Sequence, residues 1–410
     1  MKNRVLREKD LLKLIEGLDI PQSLYVKAIE HYKAIASFLQ GKDIESDIYP
    51  QGSYSLGTVV RPYTGDEEAS YDLDAICEIK VNKGNTSAKE IKQMIGEALK
   101  SDGTYEKMLQ QEWDKCWTLK YADANEIGFS VDIVPAVEDS DVQDQSIEEI
   151  RIGSNEVGRT QIAITNKQGN TYSWQKSNPK AYHEWFKKLN EPFLMVTRQR
   201  RKLNQSREFY NCSESTVEEI PVEQERSALQ RVIQMFKYHA DVYYSKGNIK
   251  EYKSASIVIT TLIALIAQDA SPELDIFSLL SFVIDELEVY GEHLILNESD
   301  FMQRYNNKHV IKQVNGQWIL ENPLNPSENI VDAWNKQPLK ATYFFKWITQ
   351  LKEDFIVSLD RDEKYFAAVL ENNFEKNYLS HNIDFHSYVR KQPVNVQITT
   401  KPYRCYNENE

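Results

Sequence analysis

Three carboxylates set in otherwise apolar runs are the residues best suited to do chemistry in this chain. The run "DLDAICEI" carries Asp72 and Asp74 with one apolar residue between them, and "GFSVDIVPAV" carries Asp132 between Val131 and Ile133. Side chains alternate along a strand, so Asp72 and Asp74 share one face while Leu73, Ala75 and Cys77 take the other. Two like charges that close repel unless a cation sits between them, and the hard, oxygen-seeking candidate is Mg²⁺. A lone Asp132 in an apolar strand is costly without a partner, and the economical partner is the same metal pair. The bland alternative is an edge strand whose solvated face carries the two aspartates.

Upstream, "YPQGSYSLGTVVRP" from Tyr49 to Pro62 places Gly52 and Ser53 in a turn between apolar runs. The glycine lets backbone N–H groups approach a phosphate closely, and the serine hydroxyl adds a donor. The following "YSLGTVV" is expected to open as a helix whose N-terminus favours an anion. Three carboxylates can hold two Mg²⁺ ions, one activating an attacking hydroxyl and one steadying a leaving pyrophosphate, with Mn²⁺ as a substitute. The expectation is a triphosphate on the turn and its metals on the aspartates.

Positioning these groups requires strands, and the pattern supplies them. Residues 7 to 41 carry apolar positions at helical spacing, notably Leu24, Tyr25, Ala28, Ile29, Tyr32, Ile35, Ala36 and Leu39, with Pro21 as a helix starter, and read as a short helix and then a long one ending near Gly41. From Asp47 to Val137 the pattern turns to short β-like runs, "DIYP", "DLDAICEI", "WTLKYAD" and "GFSVDIVPAV", broken by a helix over Ser87–Leu99. An acidic, weakly periodic stretch over 138–158 reads as a solvated excursion, followed by the strand-like "TQIAIT" and "NTYSW". Helical periodicity then dominates to about Glu375, with helices expected over Pro179–Arg200, Val222–Ser245, Ser254–Ala267, Phe277–Tyr290, Asn329–Lys336 and Leu339–Ser358. The expected fold class is a two-lobed α/β (α+β) protein: a mixed-sheet lobe over 1–178, a mainly helical lobe over 179–395 and a mobile tail over 396–410.

Composition narrows the function. The chain has 410 residues, 41% of them apolar, with 15 Gly and 13 Pro, the make-up of a folded globular protein. Cys77, Cys116, Cys212 and Cys405 form no CxxC and have no paired histidines nearby, which suggests neither zinc nor a disulfide framework and fits a reducing, cytoplasmic setting. The longest apolar run, Ser256–Ala267, is too short to cross a bilayer, so no membrane partner is expected. With 49 Lys and Arg against 62 Asp and Glu the net charge is −13, which repels long nucleic acid. Small nucleotides escape this, since bound divalent cations override the global field locally. The run "RQRRKLNQSR" over Arg198–Arg207 is open to two readings, a nucleic-acid patch or a basic helix end.

The order Gly52-Ser53, Asp72-x-Asp74 and Asp132 resembles the nucleotidyltransferase superfamily related to DNA polymerase β. Further runs, "SNPKAYHEWF", "ALQRVIQMFKYHADVYY", "SASIVITTLIA" and "NPLNPSENIVDAW", extend a resemblance to the bacterial cGAS/DncV-like nucleotidyltransferases over about residues 20 to 375. The resemblance implies a polymerase-β-like nucleotidyltransferase core, with catalysis and metal binding by Asp72, Asp74 and Asp132. It also implies nucleotide binding by Gln51, Gly52, Ser53, Lys237, Ser256, Asn329 and Asp332. Lys237 would reach the triphosphate as a point charge, although a surface lysine is the plainer alternative; Ser256 has the alternative of a helix cap, as has Ser254. The implied activity is synthesis of a cyclic di- or trinucleotide messenger from ribonucleoside triphosphates in antiphage defence, with operon-encoded regulatory or effector proteins as partners. The His-Cys-Cys insertion of DNA-sensing animal relatives is not seen, so DNA is not expected to bind. An RNA- or protein-directed transferase and a nucleotide-binding scaffold without turnover remain alternatives.

Overall fold

The computed structural model describes residues 4–61, 63, 71–121, 129–139, 160–211, 225–306 and 308–389. Two helices open the chain, α1 (Arg4–Glu16) and α2 (Gln22–Gln40). Pro21 stands at the N-cap of α2 and Gly41 ends it; of the expected apolar positions Leu24, Ala28, Tyr32, Ile35 and Leu39 are buried, and Tyr25, Ile29 and Ala36 flank them half-buried. β1 (Ser46–Pro50) leads into a single helical turn, α3 (Gly52–Ser55), and then β2 (Tyr71–Ile79). α4 (Ala88–Lys100) starts on a capping box in which Ser87 and Glu90 bond reciprocally, and is followed by α5 (Gly103–Met108). β3 (Leu109–Glu112), β4 (Trp117–Tyr121), β5 (Phe129–Glu138), β6 (Ile162–Gln168) and β7 (Thr171–Ser177) complete the sheet.

The seven strands run in the order β1-β2-β5-β4-β3, with β6 joining β5 and β7 joining β6. β2 and β5 are parallel, with Asp74 opposite Asp132 and Asp72 opposite Ser130; the other pairings are antiparallel. Alternation then divides the sheet. Leu73, Ala75, Cys77, Leu119, Val131 and Ile133 are buried with Leu24, Ile35, Ile91 and Ile95 of α2 and α4. The opposite face carries the aspartates and, further along, an apolar cluster of Ile76, Val134, Ala136, Ile162 and Ile164.

The remainder is mainly helical: α6 (Pro179–Asn211), α7 (Ala228–Lys246), α8 (Ser256–Ala267), α9 (Ile276–Gly291) and α10 (Glu298–Arg304). Two small hairpins follow, β8 (Lys312–Val314) with β9 (Gln317–Ile319) and β10 (Glu321–Asn322) with β11 (Asn325–Asn329). Then come α11 (Asp332–Lys336), α12 (Leu339–Phe355), α13 (Glu363–Asn373), α14 (Lys376–Asn382) and α15 (His386–Val389). α7 is central: every residue from Ala228 to Ala240 is buried, and it packs on α6, α8, α9 and α12. By compactness the chain divides into two units, Ile15–Val357 and a smaller one formed from Met1–Leu14 and Ser358–Glu410. Within the smaller unit Arg7 donates to the Leu359 carbonyl at 2.8 Å and the Tyr388 hydroxyl to Asp10 at 2.7 Å.

Four expectations are corrected. The helix expected over Pro179–Arg200 runs on to Asn211, so the basic run lies within it rather than at its end. The helix expected from Val222 begins at Ala228, because Ser227 takes the N-cap and 225–227 are not helical. The helix expected over Asn329–Lys336 is shorter, since Asn329 closes a hairpin strand and only Asp332–Lys336 is helical. The helix expected to open at "YSLGTVV" is one turn that stops at Gly57, whose φ of 64° lies in the left-handed region. Residues 140–158 of the acidic stretch and the tail over 396–410 lie outside the described residues. No helix among the described residues is long and apolar enough to cross a membrane. Within the basic run, Arg198 and Arg201 pair with Glu225 and Arg200 with Glu273.

The start of α7 rests on Ser227, which accepts from the Gln230 backbone at 3.0 Å while the Gln230 side chain accepts from the Ser227 N–H at 2.9 Å. Its hydroxyl also donates to Asn190 of α6. Replacing Ser227 with Ala is expected to lower unfolding stability by about 1 to 2 kcal/mol, the usual range for a lost N-cap. Urea titration followed by circular dichroism checks this; an unshifted midpoint would show the cap to be idle.

Candidate active site

Two adjacent parallel strands and one loop build the site. Asp72 and Asp74 project from β2 and Asp132 from the facing position on β5, so the in-register pairing sets all three on one face. Asp72 is exposed, Asp74 and Asp132 half-buried. Each outer carboxylate has a hydroxyl partner: Ser130 donates to Asp72 at 2.6 Å, and Thr118 of β4 donates to Asp132. Burial, then the Asp132 and Asp72 charges, push the Asp74 carboxyl up to about 7, with Lys237 opposing. Burial raises Asp132 too, against the hydroxyl of Thr118.

The loop after β1 is held against these strands from both sides. The Gln51 N–H donates to the Asp74 carbonyl at 2.9 Å, which continues the β1–β2 pairing for one more residue. Gly52 follows with φ 62°, and a Cβ there would meet Asp74 Oδ2 at 2.7 Å. Glycine is therefore required twice, by the backbone angle and by the carboxylate against it. From the helical side, α7 presents Gln230, Gln234 and Lys237, at the spacings that share a helix face. Gln230 donates to the Leu56 carbonyl at 2.9 Å and Gln234 to the Val59 carbonyl at 2.7 Å. Lys237 donates to Ser53 Oγ at 2.8 Å and Thr58 Oγ1 at 2.9 Å. Ser53 accepts there, so its own hydrogen is not used in that bond.

Lys237 is no surface lysine, being only 7% exposed. Burial draws its pKa down to about 7, opposed chiefly by Asp241 and then Asp74. Its ammonium lies under the loop, with the hydroxyls of Ser53 and Thr58 as its first partners. Ser256 is exposed as the first residue of α8 and caps nothing: the N-cap is Ala255, without a side-chain bond. Ser254 is buried and accepts from the Trp334 indole at 3.0 Å, so the capping alternative is not realised by either serine. Asn329 bonds within its own hairpin region, accepting from Leu320 N at 3.0 Å and Val331 N at 3.2 Å and donating to the Trp318 carbonyl at 2.8 Å. Asp332 pairs with Lys336 at 2.6 Å. None of these bonds involves the carboxylate cluster.

Missed in the sequence were Thr58, Thr118, Gln230, Gln234 and Asp241. The polar residues Gln230, Gln234, Lys237 and Asp241 recur at helical spacing in a helix otherwise buried, and that stripe was the available signal. A divalent ion suits the donor set, which is carboxylate oxygen only and carries uncompensated like charge. Among the described residues no three such side chains stand close enough to form a finished cage, Asp72 and Asp132 each giving an oxygen to a hydroxyl instead.

A strand pair carrying three acidic residues on one face, with a glycine-serine loop docked on its middle carboxylate, defines the polymerase-β-like nucleotidyltransferase class. Comparison with known proteins narrows this. Residues 7–190 match the Second Messenger Oligonucleotide or Dinucleotide Synthetase domain. A c-di-GMP synthase of Roseivirga ehrenbergii is 26% identical over 353 residues, covering 85% of this chain and 78% of that protein. The cyclic dinucleotide synthase CdnG of Bradyrhizobium diazoefficiens is 30% identical over 131 residues, 31% of this chain and 29% of that protein. The structure of the Bradyrhizobium diazoefficiens CD-NTase CdnG in complex with GTP shares the fold at TM-score 0.62 and 17% identity, over 93% of this chain and 99% of that one. Residues 7–190 thus carry the synthetase domain, and over most of its length the chain is similar to bacterial cyclic dinucleotide synthases.

Gly52→Ala tests the loop. The new methyl must displace Asp74 Oδ2 or the loop itself, and a displacement of about 1 Å can cost a hundredfold in rate. Nucleotidyl transfer is expected to fall by about that factor or more, with stability down by only about 1 to 2 kcal/mol for a left-handed non-glycine residue. Near-normal turnover by a folded variant would show that loop and carboxylate are not coupled.

Proposed function

We propose that the protein is a Mg²⁺-dependent synthase that joins ribonucleoside triphosphates into a cyclic oligonucleotide, a second messenger of antiphage defence in the bacterial cytoplasm. The observation that carries this is the shared face of Asp72, Asp74 and Asp132 with the Gly52-Ser53 loop docked on Asp74. The relatives named as cyclic dinucleotide synthases support the product class.

In this reading Gln51, Gly52 and Ser53 receive the triphosphate, the Ser53 hydroxyl donating to phosphate while Lys237 polarises it from behind. Bound at the three carboxylates, two Mg²⁺ ions, or Mn²⁺ in their place, would supply charge stabilisation at the α-phosphate and the leaving pyrophosphate. Asp132 keeps one oxygen on Thr118 and offers the other to the ribose hydroxyl that attacks. The new bond forms from that oxygen to the α-phosphorus, the bond to the β-phosphate oxygen breaks, pyrophosphate leaves and the hydroxyl proton passes toward Asp132. Repetition within the linear intermediate closes the ring and releases a second pyrophosphate. Ser256 at the exposed start of α8 is a further nucleotide contact in this reading, whereas Asn329 and Asp332 are bound up in local pairs.

The competing activity, extension of an RNA end, needs a track of free cations, and Arg198, Arg200 and Arg201 of α6 are instead paired to Glu225 and Glu273. Incubation with all four ribonucleoside triphosphates and Mg²⁺, followed by mass spectrometry, is expected to yield small phosphatase-resistant products without RNA or DNA. A ladder growing on added RNA, and nothing without it, would overturn the synthase in favour of a tailing enzyme.

Asp74→Asn preserves volume while removing charge. It is expected to lower product formation on the order of a thousandfold, as for other lost electrostatic groups, with an unfolding midpoint no lower than that of the parent. Near-normal product from this variant and from Asp72→Asn would sink the metal assignment.

A further inference from the structure

Lys237 is almost entirely covered and spends two of its three N–H groups on Ser53 and Thr58. A triphosphate brings several negative charges to the same loop, and one covered ammonium is a poor match for them. One helical turn along α7, at the i, i+4 position from Lys237, stands Asp241, 15% exposed at its side chain. Asp241 forms an ion pair with Lys253, whose side chain is a third exposed. Lys253 lies three residues before Ser256, on a segment tied down at both neighbours. Ser254 accepts from Trp334, and the Lys253 N–H donates to the Lys250 carbonyl at 3.1 Å. Lys340 of α12 adds a bond to the Glu251 carbonyl just upstream.

We propose that Lys253 is a second triphosphate-binding cation and that Asp241 is the positioning residue that holds it beside Lys237. The proposal rests on the nucleotidyltransferase reading above. Geometry places the carboxylate one helical turn from Lys237, whose ammonium lies under the loop, and in an ion pair with Lys253, which is open to solvent. Electrostatics agrees with that placement: Asp241 opposes the downward pull of burial on Lys237 more than Asp74 does. Such an anion does two things. It offsets part of the cost of burying the Lys237 ammonium, and it fixes the more exposed Lys253 stem in one place, so that less freedom is lost when phosphate arrives. On binding, Lys253 swings from a bond with Asp241 to one shared between Asp241 and phosphate oxygen, with no covalent change. Terminal phosphates are the chemistry it recognises; the base and ribose are not.

The test is equilibrium binding of a non-hydrolysable ribonucleoside triphosphate and of the matching monophosphate to the full chain and its variants, by calorimetry. Lys253→Ala is expected to weaken triphosphate binding roughly tenfold, the scale of one lost charge-assisted contact, while monophosphate binding changes less than about twofold. Lys253→Arg is expected to recover most of the loss. Asp241→Asn, which leaves Lys253 unheld, is expected to follow Lys253→Ala, with KM for the triphosphate raised more than kcat is lowered. Equal loss for both ligands, or no loss for Lys253→Ala in a folded protein, would overturn the proposal. If Asp241→Asn fails to fold, Lys253→Ala and Lys253→Arg decide alone. Failure of the parent chain to bind any triphosphate would instead overturn the nucleotidyltransferase reading itself.

Discussion

A buried ammonium under a phosphate-sized loop is the constraint around which this structure is arranged. An isolated charge in such a place is costly, and Lys237 is made tolerable by two hydroxyl acceptors and by carboxylates on two sides, Asp241 from its own helix and Asp74 from the sheet. Each of those neighbours must therefore be held in place. Gly52 brings the loop against Asp74, Gln230 and Gln234 clamp the loop's carbonyls, and the Ser227 cap sets where α7 begins. The same bonds tie sheet to helix within one compact unit, so the helical segment is a working part of the site rather than a support beside it.

Much of this was legible because the deciding pattern was short in range. Alternation at period 2 puts Asp72 and Asp74 on one face whatever the rest of the chain does. The glycine and serine of the loop announce a turn for the same reason. What lay beyond reach was long in range: that β2 and β5 pair in parallel, in a register that sets Asp74 opposite Asp132, depends on residues some sixty positions apart. The lysine was singled out by resemblance, yet its burial depends on packing of α7 against four other helices. The helix expected over Asn329–Lys336 shows the opposite failure. A polar residue before an apolar run looks like a cap, but here the Asn329 side chain bonds backbone groups on both sides of a hairpin, and tertiary context overrides propensity.

The net charge of −13 and the acidic site raise the matter of how a polyanionic substrate is drawn in at all. Long-range steering is unfavourable, so attraction must be local, within about a Debye length of the loop. Two lysines near the loop are paired rather than solitary: Lys237 with the hydroxyls of Ser53 and Thr58, Lys253 with Asp241. Pairing lowers their pull on distant anions and leaves it nearly intact at contact, where a phosphate can share the cation with its carboxylate. Long nucleic acid, which depends on the summed field of many exposed cations, gains little from such an arrangement. A mononucleotide, which needs only one well-built contact set, loses little by it.

Placing the polar stripe on a helix buried throughout Ala228–Ala240 has a further consequence for precision. A side chain on a surface loop can drift by an ångström at small cost, whereas one on α7 can move only if packed neighbours on α6, α8, α9 and α12 move too. The loop itself is short of internal structure, a single turn ended by a left-handed glycine, and would be poorly defined alone. Its definition comes from the rigid elements that grip it, β2 through the Gln51 and Asp74 backbones and α7 through three side chains. Chemistry at phosphorus tolerates little error in the line from attacking to leaving oxygen. The fold answers that demand by giving the loop after β1 no freedom that is independent of the sheet and the helix on which the charged groups stand.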